Sequence, residues 1–240
     1  MRRKVLRFQF TSWILLLTAS AGFLNAVTLM QFAMPSSHHT GNLTNSMIRL
    51  IEGDFSGFLQ IIMLLLSYLI GTVISGFLFP DQQFKLKRRY GWIEIIISLL
   101  IVFGSIYIKH SNWYLLETTM ILGLQNGMFV YYKGIIVRTT HMTGNLTDTG
   151  LAIGRALAGR HSELWKARFQ LINLSCFLLG GLLSSSILFY TDLNIWQAAS
   201  SIYMFTGLLY FLLYHHFNYL VSQRNESATD DKNLFDYINI

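Results

Sequence analysis

The chain has 240 residues, 52% of them hydrophobic and only 12% charged, with a mean hydropathy of +0.43. A water-soluble domain carries about twice that charged fraction, so a soluble enzyme is excluded and an all-α integral membrane protein is expected. The net charge of +6 comes from basic residues placed on one side of the apolar stretches. No basic–aromatic surface module accompanies it, so no nucleic-acid partner is expected.

Six apolar stretches are long enough to cross a bilayer: 11–33, 58–79, 92–109, 113–132, 169–190 and 195–217. Runs such as Ile61–Leu66 lack the alternation of barrel strands and read as helices. The first stretch imitates a signal peptide, with a basic lead, apolar Trp13–Leu17 and small residues around Ala19–Ala21. It is read as a retained span, because it is the repeat partner of the fourth. It carries Asn25, a buried amide that must find a partner or line a wet path.

His38 and His39 then lead into Thr-Gly-Asn-Leu-Thr at Thr40–Thr44. Thr and Asn are good N-caps and Gly41 permits unusual backbone angles, so a short helix is expected to start at this motif. The segment Leu43–Gly53 contains Arg49 and Glu52 and is too short and too charged to span. It reads as a re-entrant half-helix, tolerated at membrane depth only inside protein or beside a wet cavity. Glu94 and Glu117 stand near the ends of the third and fourth spans. An acid there marks a proton or cation path, or snorkels to the interface.

The fourth span carries Gln125 and Asn126. The lead Gly22-Phe23-Leu24-Asn25-Ala26 is echoed by Gly123-Leu124-Gln125-Asn126-Gly127. Thr-Gly-Asn-Leu-Thr then returns at Thr143–Thr147, again after a histidine, His141. A second short helix, Leu146–Gly159, carries Gly150, Gly154 and Ala158 at spacing four, a stripe expected to pack closely on a neighbouring span. The chain thus reads as a duplicated unit, 10–109 and 113–219. Three crossings per copy is an odd number, so the second copy would be inverted. The expected fold is six transmembrane helices in two inverted three-helix repeats, each with a broken or re-entrant half-helix. Residues 1–220 form a single transmembrane domain and 221–240 a polar cytoplasmic tail.

Of the 18 basic residues, all but Arg49 and Lys109 fall on one side of this arrangement. The positive-inside rule then places both termini in the cytoplasm. The sequons at Asn42 and Asn145 would lie on opposite faces and cannot both be glycosylated. The single Cys176 excludes an intramolecular disulfide.

A half-helix start carries about half a positive charge and several unpaired N–H groups. Two such starts meeting near the bilayer centre would favour an anion or a polar solute. The residues expected on that path are Thr40, Gly41, Asn42, Thr44, Thr143, Gly144, Asn145 and Thr147. Asn25, Asn126, His38, His141 and Arg138 join them, Arg138 as an anchor or an anion attractor. His38, His39 and His141 lack Cys, Asp or Glu at ligand spacing, so neither metal nor cofactor is expected. No hydrolase, kinase or metalloprotease motif is present, and no enzyme activity is expected. A transporter or channel for a small polar or anionic solute is the leading reading. A scaffold or regulatory subunit, with the motifs as packing turns, is the alternative. The expected partners are the lipid bilayer and the solute, with self-association compatible.

The segments Ala21–Val27, Ser37–Asn42, Gly123–Gly127 and Val137–Thr147 resemble the YoaK family of bacterial membrane proteins, domain of unknown function 1275. The resemblance covers the chain short of its tail. It implies a bacterial inner-membrane protein of about six spans and supplies no function. The chain departs from the family pattern at Asn25, where an Asp is common, and at His39, where a hydrophobic residue is usual. The first departure puts proton coupling at that position in doubt.

Overall fold

The computed structural model describes residues 2–80, 86–108, 111–128, 130–133 and 135–225. Lys85, Lys109, Lys232 and most of the expected tail lie outside the described residues. The described chain is helical apart from one hairpin: α1 Arg2–Phe32, α2 His39–Ile51, α3 Phe55–Leu78, α4 Arg89–Tyr107 and α5 Asn112–Gly127 come first. Strands β1 Val130–Tyr132 and β2 Ile135–Val137 follow, then α6 Met142–Leu157, α7 Leu164–Tyr190 and α8 Ile195–Asn225.

Five helices, α1, α3, α4, α7 and α8, are long and apolar enough to cross a membrane. The sixth expected stretch, 113–132, splits. Its helix stops at Gly127, and Val130–Tyr132 pairs antiparallel with Ile135–Val137. An apolar run does not by itself distinguish helix from strand, and here β-branched and aromatic residues stand on both sides of Lys133. Lys133 takes the positive φ, 47°. The helices also overrun their expected ends: α1 begins at Arg2, and α8 continues into the supposed tail as far as Asn225.

Two more expectations change. Gly41 and Gly144 have ordinary helical backbones. The positive-φ glycines are Gly53 (81°) and Gly159 (94°), which end α2 and α6. The stripe Gly150 and Gly154 meets nothing, since a Cβ at either would stand in open space. The helix α6 instead buries Thr149, Ala152 and Ala156. Small residues mark where close packing is allowed, not where it happens.

The helices pack in matched pairs. The partners are α1 with α7 and α3 with α5, α2 on α3 and α6 on α7, and α4 with α8. Exchanging α1 with α5, α2 with α6, α3 with α7 and α4 with α8 returns the same set. The exchange holds at atomic detail. A methyl on Gly22 would strike the Phe177 carbonyl, and one on Gly180 the Ala19 carbonyl. At the matching crossing, a methyl on Gly123 would strike the Tyr68 carbonyl and one on Gly71 the Met120 carbonyl. Between α4 and α8 the contact is reciprocal. Ser98 Oγ donates to Ser200 O at 2.9 Å and Ser200 Oγ to Ser98 O at 3.0 Å. Residue i meeting j while j meets i is what a two-fold relation requires.

Contact order along the helices gives their directions. Thr18 meets Asn173 and Gly22 meets Phe177, so α1 and α7 run the same way. Gln60 meets Asn112, Ser67 meets Leu116 and Gly127 meets Ser75, so α3 and α5 also run together. Trp13 meets Tyr210 while Phe32 meets Trp196, which sets α8 against α1. Ser98 meets Ser200 while Trp92 meets Phe211, which sets α4 against α8. Gln125 meets Leu17 and Tyr132 meets Thr11, so the chain leaving α5 runs against α1. Thus α1, α4 and α7 point one way and α3, α5 and α8 the other.

An aromatic core holds α1, α4 and α8 together. Trp13 lies 4.8 Å from Tyr210 and 5.8 Å from Tyr90 between ring centroids. Such pairs contribute about 0.5–1.5 kcal/mol each beyond their burial. Large apolar side chains such as Ile51 (88% exposed), Phe77 (84%) and Leu157 (84%) cover the outside, as suits a lipid-facing surface.

Candidate functional site

Each short helix is introduced by a turn that a span asparagine holds. In the first copy, Asn25 Oδ1 accepts from the backbone N–H of Ser37 at 3.0 Å and from its hydroxyl at 2.8 Å. In the second, Asn126 Oδ1 accepts from the backbone N–H of Thr140 at 3.1 Å. Ser37 and Thr140 each stand one residue before the motif histidine. The two span amides are therefore satisfied and act on the turns, which fixes where α2 and α6 begin.

Those helices start one step earlier than expected. His38 and His141 occupy the N-cap positions, and neither makes a side-chain cap hydrogen bond. The motif therefore lies inside the first turn. A Cβ on Gly41 would collide with the His38 ring, and one on Gly144 would lie 2.5 Å from His141 Nδ1. The motif glycine leaves room for the imidazole of the histidine three residues before it. Thr44 and Thr147 turn their hydroxyls back to the carbonyls of Thr40 and Thr143, at 3.2 and 3.0 Å.

The motif asparagines sit differently from expectation. Asn42 is buried, 4% exposed, and its Nδ2 donates to the Pro35 carbonyl at 3.1 Å. Asn145 Nδ2 is 4.0 Å from Met142 Sδ. Both amides serve the turn. Arg138 is exposed and is not part of the cavity lining.

The two copies converge on a cavity of about 270 Å³. Asn25, Leu29, Pro35, Ser37 and His38 line it from the first copy. Thr140, Met142, Thr143 and Phe177 line it from the second. Of the expected residues, Asn25, His38 and Thr143 come together here. Asp and Glu are absent from this lining. The N-cap histidines leave the first N–H groups of both short helices without a side-chain cap bond.

The mirror position is filled. Tyr68 stands where Phe177 stands in the other copy. Its hydroxyl accepts from Asn126 Nδ2 at 2.6 Å, and its ring lies 4.1 Å from that of His39. Burial, with His38 nearby, pushes His39 down to about 4, so its ring is neutral at pH 7. His39 is therefore no switch near neutrality. Neither of its ring nitrogens has a hydrogen-bond partner among the described residues.

The sequence marks Gln125 only as a neighbour of Asn126. It is 2% exposed, donates to Leu17 O at 2.8 Å and Thr139 Oγ1 at 3.1 Å, and accepts from Tyr203 Oη at 2.6 Å. One side chain thus ties α1, α5, α8 and the second turn together. Adjacent helix positions point about 100° apart, which separates its role from that of Asn126.

A family described as "Protein of unknown function (DUF1275)" matches residues 13–214. The chain belongs to this family. The match starts at Trp13 in α1 and ends at Tyr214 in α8, so it takes in both short helices and both motif turns. No curated protein and no solved structure matches the chain.

Proposed function

We propose that this DUF1275 protein is a six-span inverted-repeat transporter or channel. Its solute is small and polar or anionic, and binds in the cavity between the two motif turns. One observation carries the reading: a single cavity of about 270 Å³ is lined by equivalent turns from both copies. Inverted-repeat carriers place their solute at such a repeat interface, against half-helix starts. The opposed directions of all repeat mates support the inversion. The helix α5 serves as the sixth span. Its 16 residues reach about 24 Å, short of a ~30 Å hydrocarbon core, and packing against α3 shelters its ends. The basic residues then place both termini in the cytoplasm of a bacterial inner membrane.

The test is a liposome screen of small anions and neutral polar solutes. The purified protein should carry at least one of them above protein-free liposomes. Gly41→Ala should push the His38 ring toward the cavity and lower that flux about tenfold, ~1.4 kcal/mol, with folded protein retained. Adding His38→Ala should restore the room and most of the flux, a coupling that neither change alone predicts. No flux from well-folded protein across the screen would favour the scaffold reading, in which the buried Asn42–Pro35 bond marks only a packing turn.

A further inference from the structure

Glu94 of α4 is 0% exposed, and neither carboxyl oxygen has a hydrogen-bond partner among the described residues. It does not snorkel, although it lies only five residues after Arg89, where α4 begins. It sits at the antiparallel crossing of α4 with α8. There a Cβ on Gly207 would stand 3.1 Å from Glu94 Cβ and 2.9 Å from the Gly91 carbonyl. The reciprocal Ser98–Ser200 contact lies one turn further along α4. A carboxylate with no partner in such a place costs far more than a neutral acid. The closed crossing therefore holds Glu94 as –COOH. A glutamine would fill the same space, so packing does not explain the acid.

The crossing connects to the cavity. Tyr203 lies on α8 between Ser200, which meets Ser98, and Gly207, which meets Glu94. Tyr203 Oη donates to Gln125 Oε1 at 2.6 Å, and Gln125 Nε2 donates to Thr139 Oγ1 at 3.1 Å. Thr139 adjoins Thr140, which lines the cavity. From α8, Tyr203 and Tyr210 are buried ionisable groups, and Tyr210 meets Tyr90 of α4. From α5, Tyr114 and Glu117 meet α4 further along, at Ile101 and Gly104.

We propose that Glu94 is the proton-binding residue of the transport cycle, so that solute movement is coupled to a proton. The proposal rests on the transporter reading above. When the crossing opens to water, the carboxyl O–H bond breaks and the proton passes to water, leaving a solvated carboxylate. Closing the crossing requires a proton back on that oxygen. The α4–α8 crossing lies where the two-fold relation passes, so it is a place where a rocking motion of the two copies would open a gap.

Two measurements test this. Infrared spectra of the purified protein in lipid at neutral pH should show the C=O stretch of a protonated carboxyl. It should be lost in Glu94→Gln and shifted after transfer to D2O. A missing band, or one that D2O leaves unmoved, overturns the proposal, the first as an ionised acid and the second as a sealed one. In liposomes, a solute found in the screen should accumulate down a proton gradient with wild type. Glu94→Gln should lose that accumulation while keeping equilibrium exchange of the same solute. Loss of both activities, or of neither, overturns the proposal. A screen that finds no solute defeats the transporter reading, and the infrared result still decides the state and access of Glu94.

Discussion

Replacing Gly180 or Gly71 by alanine is expected to remove most of the folded protein from the membrane. A methyl on Gly180 would overlap the Ala19 carbonyl oxygen, and one on Gly71 the Met120 carbonyl oxygen. Both obstacles are helix backbone and cannot rotate away, so the pairs α1–α7 and α3–α5 must separate. Overpacking a close contact costs on the order of 3 kcal/mol, and the backbone approach here offers no cheaper relaxation. Loss of helix contact matters more in lipid, where close van der Waals packing of small residues drives association. Alanine at Gly76, Gly150 or Gly154 meets open space and should be tolerated. Thermal melts of the detergent-purified variants check this. Equal losses at Gly180 and Gly71 are expected because the crossings are equivalent, and a harmless Gly180→Ala would contradict the packing described.

The second large effect is expected at Gln125. Gln125→Leu keeps the volume and removes three hydrogen bonds at once. It leaves Tyr203 Oη, Thr139 Oγ1 and Leu17 O short of their partner inside the core. A buried group left unpaired costs about 1–3 kcal/mol. Lower values are usual for single bonds between membrane helices, so a total of about 2–3 kcal/mol is expected. Tyr203→Phe removes only the donor and should cost less. The double variant should be less stable than wild type by clearly less than the summed single losses. Full additivity in melting experiments would show that the Tyr203–Gln125 bond contributes nothing.

Much of this architecture could be read from the residues, and the limits have physical causes. The two Thr-Gly-Asn-Leu-Thr segments announced the duplication, and their distance from the span ends announced the short helices α2 and α6. The family match over 13–214 agrees with the resemblance carried by those segments. Which motif atoms face the cavity could not be read. Asn42 looked available for solute, but the Pro35 carbonyl, seven residues back, takes its amide. That partner depends on how the turn closes, which no spacing reveals. The sequence places His38 on the expected solute path, and its ring over Gly41 explains why the motif needs a glycine. The sequence says that Asn25 and Asn126 must find partners or line a wet path, and it does not say which groups those partners are. Asn25 accepts from the Ser37 N–H and hydroxyl, while Asn126 accepts from the Thr140 N–H and donates to the Tyr68 hydroxyl of α3. The hairpin after α5 left a signal in its β-branched and aromatic runs, and the apolar character of Met128–Tyr132 concealed it.

The shared cavity is tested most directly by thiol accessibility in intact membrane vesicles, in a Cys176→Ser background. Ser37→Cys reports from the first copy and Thr143→Cys from the second, with Asn42→Cys as a buried control. In the inverted arrangement their turns come from opposite faces of the membrane, yet both line one cavity. A membrane-impermeant thiol reagent should therefore modify Ser37→Cys and Thr143→Cys from the same face, and leave Asn42→Cys unreacted. Modification of the two sites strictly from opposite faces would make them separate surface turns, and would contradict a common solute site.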